Sequence, residues 1–193
     1  MTELLLVRHG ETDWNRERRF QGHADPPLNE TGREQARGLA EQLAGDGIAA
    51  IYTSDLRRAR ETAEIVAAKL DAEIVALREL REIDVGSWQG LSWPEIEEQD
   101  PDGVERWRRD GHGWHGGETY EELGARIVAA LSGIVARHPG QLVVVVGHGG
   151  TVRATRAFVD GVSVAESRRR SAPIGNCEVF RVVTEDGHWR GLD

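Results

Sequence analysis

The sequence predicts an α/β protein, a three-layer α/β/α sandwich around a mostly parallel sheet. Three observations point there. Strand and helix signals alternate along the chain. The apolar runs are short and continuous, as in strands buried on both faces of a parallel sheet. Two of them, Leu4–Val7 and Leu142–Val146, lead into a histidine followed by glycine, and parallel sheets bind ligands beyond the carboxyl ends of their strands.

Taken in order, Leu4–Val7 is the first strand, and a turn-rich stretch follows as far as Asp25-Pro26-Pro27. Ala36, Leu39, Ala40 and Leu43 then share one helical face, stopped near Gly45 and Gly47. Ala50–Thr53 reads as the second strand. Ser54 stands where it would cap a helix whose buried stripe is Ala59, Ala63, Val66, Ala67 and Leu70. Glu73–Val75 is a third strand. Residues 82–117 break the rhythm: they hold Trp88, Trp93, Trp107 and Trp114 among glycines and charges, which suits a lid or pocket wall better than a core layer, with a short helix near Trp93–Glu98. Thr119 to Glu122 is a capping box opening a helix that buries Leu123, Ile127, Ala130 and Ile134. Leu142–Val146 is the most apolar strand, feeding Gly147-His148-Gly149-Gly150 and a further helix. Glu178–Val183 and His188–Gly191 form a terminal hairpin. With no repeat or low-complexity linker, residues 1–193 are expected to be a single domain with a lid-like insertion at about 82–117.

Composition narrows the function. A net charge of −9 disfavours nucleic acid and anionic membrane surfaces, both of which select a basic face. No stretch nears the roughly 20 apolar residues of a membrane span, and Met1–Arg8 lacks the build of a signal peptide. The single cysteine, Cys177, excludes an internal disulfide, so a cytoplasmic location is expected. Positive charge falls in arginine groups (Arg16, Arg18, Arg19; Arg57, Arg58, Arg60; Arg168–Arg170), with Lys69 the only lysine. Outside motifs these read as solvated faces. A local positive pocket would still draw a small anion into a negative protein.

Four segments carry chemistry. In Leu6-Val7-Arg8-His9-Gly10-Glu11-Thr12, a neutral imidazole can attack phosphorus while the Arg8 fork binds phosphoryl oxygens, and Gly10 would let backbone approach the ligand. In Thr53–Ala59, Arg58 sits in the first turn of a helix, where the positive helix end assists a second clamp. Leu80–Gly90 sets Glu82 and Asp84 beside aromatic residues, and partial burial of a carboxyl favours general-acid work. Gly147–Gly150 offers His148 with exposed backbone N–H groups. His9, His23, His112, His115 and His148 lack the spacing of a zinc site, and G-x-G-x-x-G would need glycine at Val152.

Together R-H-G-E-T-x-W-N, Q-G-H-A-D-P-P-L-N-E-T-G, T-S-D-L-R-R-A-R-E-T-A, L-R-E-I-D-V-G-S-W-Q-G-L and V-V-G-H-G-G-T-V-R span residues 4–153 in one order. In this the chain resembles the phosphoglycerate mutase-like branch of the histidine phosphatase superfamily. The resemblance implies the mutase-like sandwich fold, with His9 as nucleophile and Arg8, Arg58 and His148 completing the phosphate pocket. It implies Glu82 as proton donor, with Asp84 as its rival, and Asn15 and the Gly149 amide as further donors to the phosphoryl group. Gln21 and Gly22 would line the pocket beside them. A protonated His148 would add positive charge. No cofactor and no metal are implied; the expected partners are a small phosphorylated substrate and, as an oligomer, a homodimer.

Hydrolysis of small phosphomonoesters through a phosphohistidine on His9 is the expected activity. The alternatives are a phosphoglycerate mutase-type phosphotransferase and a non-catalytic phosphate-binding module. Mutases that resemble this chain carry longer shielding segments than its modest 82–148 region and short tail, and degenerate modules lose residues that this chain keeps. Leu80–Gly90, Pro101-Asp102-Gly103 and His115–Glu118 are also similar to phosphatases acting on glucosyl-3-phosphoglycerate.

Overall fold

Alternation of side chains along a strand explains the centre of the molecule. In β1 (Thr2–Arg8), Leu4 and Leu6 face one side of the sheet and Leu5 and Val7 the other, all at most 1% exposed. β4 (Leu142–Gly147) repeats the device with Val143 and Val145 against Val144 and Val146. Each such side chain contributes about 1.5–3 kcal/mol by leaving water, so two layers of helix are needed to cover both faces.

The computed structural model, which describes residues 1–192 apart from the Asp110 side chain, supplies them. β2 (Ala50–Thr53) and β3 (Ile74–Ala76) join β1 and β4 in parallel, while β5 (Val179–Glu185) and β6 (His188–Leu192) add an antiparallel edge. The order is β3-β2-β4-β1-β5-β6. One face is covered by α2 (Glu30–Gln42) and α3 (Arg57–Leu70). The other carries α6 (Tyr120–Arg137) and α7 (Gly149–Asp160). The short helices are α1 (Asp13–Arg16), α4 (Trp93–Gln99), α5 (Pro101–Asp110) and α8 (Val164–Arg170).

The capping box at Thr119 forms as expected, with Glu122 reaching back to the Thr119 N–H at 2.8 Å. Other details differ. α2 begins at Glu30, because Asn29 accepts from the Gly32 N–H at 2.9 Å. Ser54 is not the cap of α3: Leu56 holds that position, and Ser54 Oγ accepts from the Leu56 N–H at 3.2 Å, tightening the strand-to-helix turn. The tryptophan-rich segment belongs to the core more than a lid would. Trp88 and Trp114 are 0% and 2% exposed within the larger apolar cluster, joined edge-on at 5.5 Å. The Trp88 indole N–H bonds Asp100 at 2.9 Å, so burial leaves no polar cost. Arg168 is not simply solvated either; its guanidinium lies 3.9 Å over the Trp107 ring.

Candidate active site

β1 and β4 are adjacent and parallel, and Arg8 pairs in register with Gly147. His9 and His148 are therefore the next residues on neighbouring strands, and the His9 N–H donates to the Gly147 carbonyl at 3.0 Å. Strand spacing alone puts the two rings side by side; their centroids are 5.2 Å apart, edge to face at 63°.

His9 is 3% exposed, and its Nδ1 lies 2.7 Å from the Gly10 carbonyl oxygen. A carbonyl only accepts, so Nδ1 carries the hydrogen and Nε2 keeps its lone pair. Burial, then the charges of Arg58 and Arg8, holds the ring well below the ordinary imidazole pKa. Both effects keep the nucleophilic form populated at neutral pH. Gly10 serves this geometry through packing rather than ligand approach: a Cβ there would stand 2.4 Å from the Gly32 carbonyl oxygen. Its N–H donates to Thr62 Oγ1 at 3.0 Å, which fixes the carbonyl that orients His9.

Arg58 is fully buried at the start of α3, donating to the carbonyls of Ala24 at 2.7 Å and Gly22 at 2.9 Å. Burial lowers its pKa to about 10, which leaves it charged at neutral pH. Its Nε has no partner among the described residues. Arg8 donates to the Ile174 carbonyl at 2.8 Å. His148 is fully buried, with neither ring nitrogen partnered among the described residues. Burial, then the neighbouring Arg58, His9, Arg8 and His23, push its pKa down as well, which disfavours the protonated form.

These groups surround a cavity of about 240 Å³ whose wall includes Arg8, His9, Asn15, Gln21, Gly22, Arg58, Glu82 and Gly149. The His148 ring stands beside His9, edge to face. Asn15 Oδ1 accepts from the Thr12 N–H and hydroxyl, each at 3.1 Å, which commits the oxygen and leaves the NH₂ group as a donor. The Gln21 Oε1 is buried without a partner among the described residues. Burying polar atoms unpaired costs roughly 1–3 kcal/mol each, so a pocket that keeps several is built around a polar ligand.

Glu82 and Asp84 are separated by their surroundings. Glu82 lines the cavity, accepting from the Gly150 N–H at 3.1 Å and the Ile83 N–H at 2.9 Å. Asp84 Oδ1 accepts from the Gly86 N–H at 3.0 Å and its Oδ2 lies 3.8 Å from His23 Nδ1, away from the cavity wall. Arg126 of α6 fastens the loop, donating to the carbonyls of Glu79 at 2.6 Å and Arg81 at 3.0 Å and gripping Glu118 with two nitrogens. Among the described residues no three His, Cys, Asp or Glu side chains gather as metal ligands.

The model of the histidine phosphatase superfamily, branch 1, matches residues 4–192. The chain belongs to the histidine phosphatase superfamily. It is 43% identical over 157 residues to phosphoglycerate mutase-like protein 4 of Arabidopsis thaliana, covering 79% of this chain and 68% of that one. It is 41% identical over 159 residues to the metal-independent phosphoserine phosphatase of the same plant, covering 80% and 67%. The solved mycobacterial glucosyl-3-phosphoglycerate phosphatase superposes with a TM-score of 0.88 at 33% identity, over 98% of this chain and 96% of that one.

In this histidine phosphatase the cavity also takes residues that motif reading passed over. Tyr120 follows the cap of α6, Trp114 comes from the tryptophan-rich segment, and Pro173 and Ile174 come from the loop before β5. Arg153 stands five residues after His148 on α7. The signal for Arg153 was its place in the last motif, four residues after Gly149, the spacing at which a helix returns to the same face. Pro173 and Ile174 had no local signal.

Proposed function

We propose that the protein is a metal-independent phosphomonoesterase of small metabolites, working through a phosphohistidine on His9. The observation that carries this is the neutral His9 ring, its Nδ1 committed to Gly10 and its lone pair on Nε2, held beside the guanidiniums of Arg8 and Arg58. Nε2 attacks phosphorus as the ester P–O bond breaks, and Glu82 gives a proton to the departing alkoxide oxygen. The charge spread over the three equatorial oxygens meets Arg8, Arg58, the Asn15 amide and the Gly149 N–H, fixed donors of the kind that supply the largest catalytic term. The unpartnered His148 ring donates to the same group. Glu82, now a carboxylate, takes a proton from a water whose oxygen attacks phosphorus, and the P–N bond breaks to restore His9.

The relatives support a small-molecule phosphatase, two of those described being phosphatases by name. No described helix is long and apolar enough to cross a membrane; the homodimer and the cytoplasmic location remain part of this proposal, to be read by sedimentation and by fractionation.

The test is release of phosphate from p-nitrophenyl phosphate in EDTA, with alkaline quenching of a ³²P-labelled substrate to trap the enzyme-bound phosphoryl group. Turnover with label on His9 is expected. A strict demand for a divalent metal, or label on another residue, overturns the mechanism. With 3-phosphoglycerate, isomerisation faster than phosphate release, dependent on 2,3-bisphosphoglycerate, would replace the phosphatase by the mutase.

A further inference from the structure

The peptide between His9 and Gly10 is fastened from two distant segments. Its carbonyl, that of His9, accepts from the Asn176 side-chain amide at 2.8 Å. Its N–H, that of Gly10, donates to Thr62 Oγ1 at 3.0 Å, and the Thr62 hydroxyl donates to the Arg58 carbonyl at 2.7 Å. A carbonyl only accepts, so Asn176 presents its NH₂ group to His9. The same group reaches Asn15 Oδ1 at 3.4 Å. One amide thus ties the proposed nucleophile to a residue proposed to hold the phosphoryl group. Asn176 is itself held in place. The next residue, Cys177, takes the left-handed conformation at φ 55° and donates its N–H to the Arg8 carbonyl at 2.8 Å. Thr62 lies within a motif, whereas Asn176 lies beyond the last of them, 167 residues from His9.

We infer that Asn176 is a positioning residue: by anchoring the His9 carbonyl it fixes the peptide from which the imidazole is aimed at phosphorus. The inference rests on the reading of His9 as nucleophile and extends it to a side chain that forms no part of the cavity wall. His9 Nδ1 bonds the carbonyl of Gly10, so the ring is oriented by its own backbone. That backbone directs the ring only while the peptide joining the two residues cannot rotate. Thr62 holds one side of the peptide and Asn176 the other, and removing Asn176 leaves it held at one point. Misplacing a reacting group by about 1 Å costs about 10²-fold in rate. Binding is affected far less, because Arg8 and Arg58 are fixed by separate bonds to the carbonyls of Ile174, Ala24 and Gly22.

The test is a single turnover of p-nitrophenyl phosphate with enzyme in excess, for wild type, Asn176→Ala and Asn176→Asp. At about pH 8 the carboxylate of Asn176→Asp keeps the shape of the side chain but only accepts, so it cannot hold a carbonyl. The plateau rate at saturating enzyme reads the attack step, and the half-saturating concentration reads binding and any loss of folded enzyme. Both variants are expected to lower the plateau by about 10- to 100-fold, with half-saturation moved by less than about threefold. A plateau within about threefold of wild type in either variant overturns the inference. So does a loss confined to half-saturation, which is the mark of a structural or binding role. A second readout needs no turnover. In ¹⁵N-labelled protein the His9 ring is expected to show a fixed Nδ1–H tautomer in wild type and averaging of the two tautomers in Asn176→Ala. An unchanged ring signal in the variant also overturns the inference. A wild type inert towards p-nitrophenyl phosphate would sink the hydrolase reading alone, since the ring signals still judge the anchor.

Discussion

The two ends of the cavity are built differently. At the end proposed to hold the phosphoryl group, Arg8 ends β1, His9 and His148 follow β1 and β4 directly, and Arg58 lies in the first turn of the helix after β2. Backbone register places them. The rest of the wall draws Trp114, Tyr120, Arg153 and Ile174 from four separate segments, tied by side-chain bonds such as that of the Trp114 indole N–H to the Glu118 carbonyl and that of Arg126 to the Glu118 carboxylate. A fixed end suits a group that every substrate shares, and an assembled wall suits the part that varies. Catalytic power should thus depend on the first region, and discrimination between substrates on the second.

The largest expected effect breaks the first region outright. His9→Ala should lower kcat by about 10⁴-fold or more for every ester and abolish the trapped phosphoryl enzyme. Uniform loss across substrates is the signature, and a loss confined to some of them would contradict the shared role of this end.

Next comes the boundary between the regions. Glu82→Gln should slow esters of poor leaving groups by about 10²–10⁴-fold and p-nitrophenyl phosphate less, since its leaving group needs no proton and only the help to the attacking water is lost. If Asp84→Asn shows that pattern instead, the donor has been misassigned. Gly150→Ala reaches the same carboxylate indirectly: the new Cβ would stand 2.1 Å from Glu82 Oε1. Displacing the carboxylate by such an amount should cost about 10²-fold, again concentrated on poor leaving groups and measured in the same steady-state series.

The smallest effect is one of stability. His9 and His148 are held neutral, with folded pKa values well below the ordinary value near 6.5. Below that value the unfolded chain binds protons that the folded chain refuses. Stability is therefore intact above pH 6.5 and falls as pH drops towards the folded pKa values, by up to about 1.4 kcal/mol per pH unit for each ring. Thermal midpoints between pH 7.5 and 5.5 should decline, and His148→Gln should lessen the slope. A flat profile would show that the rings are not buried neutral.

Much of this was legible in order along the chain, because strands buried on both faces announce themselves as unbroken apolar runs and because the residues after them form contiguous motifs. The sequence reading missed where causes were not local. Gly10 was assigned to the ligand, yet it answers to Gly32, a segment 22 residues away. The segment that holds the tryptophans was read as a lid or pocket wall from its loop-like setting; Trp114 does line the cavity, while the Asp100 carboxylate and the rest of the apolar cluster make Trp88 core. Arg168 was read as solvated because its partner, Trp107, belongs to another helix.

The sequence by itself determined the layers and the order of the elements, since both depend on periodicity, and its motifs, through their family resemblance, named the side chains proposed to hold the phosphoryl group. Only the tertiary structure decided that Glu82 rather than Asp84 turns into the cavity, that burial lowers the pKa of both histidines, and that Arg153 stands on its wall with no side-chain partner among the described residues. Those are matters of distance and desolvation between segments far apart in the chain, and neither quantity exists until the chain has folded.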